Sequence, residues 1–76
     1  MNERESIRFR LITNNLSFAW LIQQLDRYGI AVDRTVMSAV MAGTRRGPKA
    51  DSIIRKSVEI LDDYDAYFKS RGVRVT

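Results

Sequence analysis

Apolar residues along the chain recur at three- and four-residue spacing in four runs, each closed by residues that suit a helix end. From Asn2 to Asn14, Ile7 and Leu11 are spaced this way with Arg8 and Ile12 beside them, which predicts a first helix that Asn14 and Asn15 end. Ser17 is an N-cap type, and Leu16 with Leu21 has the spacing of a hydrophobic staple. A second helix is therefore expected over Ser17 to Tyr28, with Phe18, Leu21, Ile22, Leu25 and Tyr28 inward and Gly29 as its stop. After the short apolar link Gly29 to Val32, Asp33 caps a third helix, about Arg34 to Ala42. Val36, Ala39 and Val40 form its inward stripe, Arg34, Met37, Ser38 and Met41 face elsewhere, and Gly43 ends it. A loop from Thr44 to Lys49 holds the chain's one proline. From Ala50 a fourth helix runs to about Lys69 on a stripe of Ile53, Ile54, Val58, Leu61, Tyr64 and Phe68.

No strand pattern of useful length interrupts these runs. The expected class is all-α: a compact bundle of four helices, or at most five, with residues 1–70 as one domain and 71–76 as a short tail. A chain of 76 residues holds one core, and 45% apolar with 29% charged residues is the composition of a folded globule with little stability to spare. Dimerisation is a natural supplement.

Cysteine and histidine are absent, which removes disulfides, thiol nucleophiles and the usual transition-metal ligands. Met1 to Arg10 lacks the apolar run of a signal peptide, and no stretch has the length of a membrane span, so cytoplasmic residence is expected, without membrane insertion. Asp62, Asp63 and Asp65 are read as a solvated face, since neighbours on a helix diverge by about 100°. With no glycine-rich phosphate loop and a core too small for a substrate pocket, neither an enzyme nor a cofactor or metal is expected.

Charge placement changes the picture more than charge amount. The net charge is +4, and Arg27 to Lys49 holds five basic residues against Asp33 alone, whereas the remainder carries eight of each sign. A local basic strip is the footprint of a phosphate-binding surface, because neutralised phosphates release condensed counterions. Two short helices around a tight turn, the second capped and followed by a basic loop, match the helix-turn-helix arrangement, in which one helix enters a major groove about 12 Å wide.

From Ile7 to Leu61 the chain resembles the phage repressor and Cro type of helix-turn-helix proteins, the lambda repressor-like group, in helix order and spacing more than in identities. Ser17-Phe18-Ala19-Trp20-Leu21-Ile22 matches the family's opening of the second helix at Ser17 and Leu21. It departs at Ile22, where the family has Ala, and at Phe18, where it commonly has a phosphate-bracing Gln; Gly29 also falls later than the family's glycine. Thr35 to Gly43 looks like the recognition helix, with Val36 buried. The resemblance implies a transcription regulator that binds double-stranded DNA, as a homodimer on a near-palindromic operator.

On that reading Arg34, Thr35, Met37 and Ser38 contact base edges, while Ser17, Arg45, Arg46 and Lys49 contact phosphates. Arg34 has an alternative use in pairing with Asp33 or Asp26. Met37 and Met41 suit thymine methyls or a protein partner. Trp20 either packs on the first helix or anchors a partner, and Tyr64, Tyr67 and Phe68 make core or a dimer seam. The competing function is a modulator or antirepressor that binds another phage regulator through Phe18, Trp20, Met37 and Met41.

Overall fold

A computed structural model describes residues 2–70, with side chains to Tyr67. Four helices follow in order: α1 (Glu3–Thr13), α2 (Phe18–Arg27), α3 (Arg34–Ala42) and α4 (Pro48–Ser70), and there is no strand among the described residues. The expected tail 71–76 and the side chain of Phe68 lie outside the described residues.

Local chemistry sets the ends. Asn2 and Glu5 form a reciprocal box at α1, with the Glu5 amide donating to Asn2 Oδ1 at 2.8 Å and the Asn2 amide to Glu5 Oε1 at 3.3 Å. Ser17 Oγ accepts from the Trp20 amide at α2, and Asp33 Oδ1 from the Val36 amide at α3. Three helices stop by one device. One or two residues past the helix the chain takes a positive φ (Asn15 59°, Gly29 82°, Gly43 83°), and the next amide reaches back to Leu11, Leu25 or Ala39 O respectively.

Pro48 moves the start of α4 two residues ahead of the expected Ala50. Its ring fixes φ at a helical value, and its missing N–H is one a first-turn residue would leave unpaired anyway. Helix α2 stops at Arg27, so Tyr28 becomes its C-cap and stands exposed instead of joining the core.

One core ties the helices together: Ile7 and Leu11 of α1, Leu21 and Leu25 of α2, Met37, Val40 and Met41 of α3, and Ala50, Ile53, Ile54, Ile60 and Leu61 of α4. Helices α3 and α4 form the hub, on which both α1 and α2 lean. Arg10 of α1 pairs with Asp62 and Asp65 of α4, and Arg4 shares a depression with Asp51 and Ile54, so α1 and α4 run in the same direction. Trp20 meets Tyr64 edge-on at 5.5 Å and Tyr28 stacks under Lys56, so α2 runs against α4.

The seating of α3 corrects the expected inward stripe. Met37, Val40 and Met41 are buried, whereas Val36 and Ala39 are half-buried. The sets 36/39/40 and 37/40/41 share one spacing and differ by one residue, a rotation of about 100°. Long, flexible methionines reach into the hub and fill it where Ala and Val would leave gaps.

Candidate functional site

With that rotation, the outward arc of α3 consists of Arg34, Thr35, Ser38 and Ala42, all exposed and all within about 100° around the helix. No large apolar side chain stands on it. Of the four expected base contacts, Arg34, Thr35 and Ser38 are accessible together. Met37 is removed from the set by burial, and Met41 is removed from the expected partner surface for the same reason.

Arg34 forms no ion pair with Asp26 or Asp33 among the described residues, because the Asp33 carboxylate caps α3, with its Oδ1 2.8 Å from the Val36 amide. Beyond Gly43 the chain turns through Thr44 to Gly47, and Arg45, Arg46 and Lys49 are exposed around the turn. Arg46 has a structural duty as well: its Nε donates to Gly43 O at 3.0 Å, where a cation opposes the negative end of α3. From α1, Arg4 Nε donates to Val40 O at 2.9 Å, so two arginines converge on the last turn of α3. Sequence reading gave Arg4 no role, because a contact spanning 36 positions leaves no local pattern.

At the other end of α3, Arg34 meets Arg8 of α1 and the start of α2 around a depression of about 320 Å³. Leu11, Leu16 and Phe18 supply its apolar surface, and Ile12 and Ser17 complete its rim. Ser17 Oγ already accepts from the Trp20 amide at 3.1 Å, and its hydroxyl proton remains available to an acceptor. A wider depression of about 780 Å³ lies between the outer side of α2 and residues 31–33, and it includes none of the expected DNA contacts.

The two expected partner aromatics separate. Phe18 is half-buried at the first depression, while Trp20 is half-buried against α4, not α1, beside Tyr64. Nor are the acidic residues of late α4 wholly a solvated face. Arg10 Nη2 lies 3.0 Å from Asp62 Oδ1 and 2.8 Å from Asp65 Oδ2. Burial works against the Arg10 charge, but hydrogen bonds to Asp65 and Asp62 outweigh it and hold its pKa above the ordinary arginine value. Among the described residues no three acidic side chains gather as a metal-ligand set, and no helix is long and apolar enough to cross a membrane.

Comparison with known proteins adds no relative: no protein family, no curated protein and no solved structure matches the chain.

Proposed function

We propose that the chain is a sequence-specific regulator of transcription that binds double-stranded DNA, with α2 and α3 acting as a helix-turn-helix of the phage repressor type. Arg34, Thr35 and Ser38 read base edges in the major groove; Arg45, Arg46, Lys49 and the Ser17 hydroxyl hold phosphates. A homodimer on a near-palindromic site in the cytoplasm of a phage host, or of a cell carrying a mobile element, completes the reading. It requires no catalytic group and no cofactor.

The observation that supports it is the outward arc of α3. A rod that enters a groove must carry small or polar side chains on one side and be fixed on another, and α3, which exposes Arg34, Thr35, Ser38 and Ala42 and buries Met37, Val40 and Met41, meets both conditions. The exposed cations at its far end add the sequence-independent grip.

Selection of a binding site from randomised duplexes, followed by a salt titration, tests this. Wild-type affinity should fall steeply with salt, and Arg45→Ala/Arg46→Ala should make the log–log slope shallower by roughly 2. Arg34→Ala should relax the preference at one base pair by about 1 to 3 kcal/mol. No enriched site, or an unchanged slope in the double variant, overturns the reading. The competing surface of Phe18, Trp20, Met37 and Met41 gains no support, since both methionines are buried and the two aromatics face different depressions.

A further inference from the structure

Sequence periodicity places Ile12 beside the inward residues of α1, yet Ile12 is 78% exposed and Phe9, three residues earlier, is 58% exposed. With Arg8 they lie within about 100° around α1. This edge continues into the depression whose apolar surface includes Leu16 and Phe18 and whose cations are Arg8 and Arg34. Among the described residues no carboxylate lines that depression. The nearest ones along the chain are engaged elsewhere, Glu5 with the Asn2 amide and Asp33 with the Val36 amide.

We propose that this edge of α1, with the adjoining depression, is a docking site for an acidic peptide segment of a partner protein that presents an aliphatic or aromatic anchor. The anchor seats on Ile12, Leu16 and Phe18, and flanking carboxylates meet Arg8 and Arg34, whose planar forks donate to two oxygens at a time. Charge decides against a second copy of this chain. A two-fold contact through the depression would bring Arg8 and Arg34 of one copy against those of the other, and no described carboxylate lines the depression on either side. Nucleic acid would satisfy the arginines and leave Phe9 and Ile12 without a use. The site stands apart from the DNA reading and meets it at Arg34 and Ser17, so a seated peptide and an operator would exclude each other.

Selection of displayed random peptides of about 16 residues on the full chain tests the proposal. Recovered sequences should carry Asp or Glu around a Leu, Ile, Phe or Trp. A synthetic copy should lose affinity roughly tenfold or more on Ile12→Ser and about threefold or more on Arg8→Gln. Both side chains are exposed, so circular dichroism melts of the variants should match the wild type. Peptides without acidic bias, or peptides indifferent to Ile12→Ser, overturn it. So does self-association that Ile12→Ser abolishes, or a mixed-sequence duplex that shifts the amide resonances of Ile12 and Phe18 when no peptide is recovered. Loss of DNA binding with peptide binding intact would sink the DNA reading and leave this one standing.

Discussion

Helices α1 and α3 are nearly the same length and both lean on α4, yet they turn opposite kinds of surface outward. Helix α3 buries three large side chains and exposes small or polar ones, whereas α1 buries Ile7 and Leu11 and exposes Phe9 and Ile12. A helix whose apolar mass is all inside is free to approach a polar groove. One that leaves apolar mass outside pays solvation for it, and such a cost is ordinarily tied to a partner. The difference separates two faces on a chain of 76 residues.

The contrast breaks most readily at the methionines. Met37→Ala should lower stability by about 2 to 5 kcal/mol through an unfilled cavity, and each kcal/mol should move the melting temperature by roughly 4 to 8 °C at this size. Ile12→Ala, although it also removes a large side chain, should stay within about 0.5 kcal/mol. If thermal melts ranked the two the other way, α3 would not be rotated as described.

The caps sharpen the contrast at a smaller scale. Asp33→Ala should cost about 1 kcal/mol in urea unfolding, because the Val36 amide loses its acceptor at the start of α3. On α4, the shared support, the Ser57 hydroxyl is fully buried without a hydrogen-bond partner among the described residues, so Ser57→Ala should raise stability by about 0.5 to 1 kcal/mol. A loss there would mean that the hydroxyl has an acceptor.

The smallest effects belong to the tether between α1 and α4. Asp65→Asn should cost about 0.5 kcal/mol and Asp62→Asn less, since both carboxylates are more than a third exposed and screened, and either one can keep Arg10 when the other is gone. The raised Arg10 pKa means that this stabilisation is fully present below the ordinary arginine range and is lost only above it. Urea midpoints should therefore not move with Arg10 titration near neutral pH.

What sequence made visible was local. The bounds Arg34 to Ala42 were legible because Asp33 and Gly43 signal the two ends within one turn of each. The rotation of α3 was not legible, since two stripes of equal spacing compete and only the shape of the hub chooses Met37 and Met41 over Val36 and Ala39. The exposure of Ile12 and the pairing of Arg10 with Asp62 and Asp65 escaped for a related reason. Each depends on how α1 lies across α4, and no window of a dozen residues contains both helices. Of the expected contacts, Arg34, Thr35, Arg45 and Arg46 were recoverable as exposed residues because they flank the two caps of α3.

The bond from Arg4 to Val40 O has a practical result for anyone who would graft α3 into another protein. A cut that carried only residues 18–43 would leave behind the guanidinium that covers the last carbonyls of the rod. A transplant that retained α1 would bring along Phe9 and Ile12, so the two faces can be altered separately but cannot be moved separately.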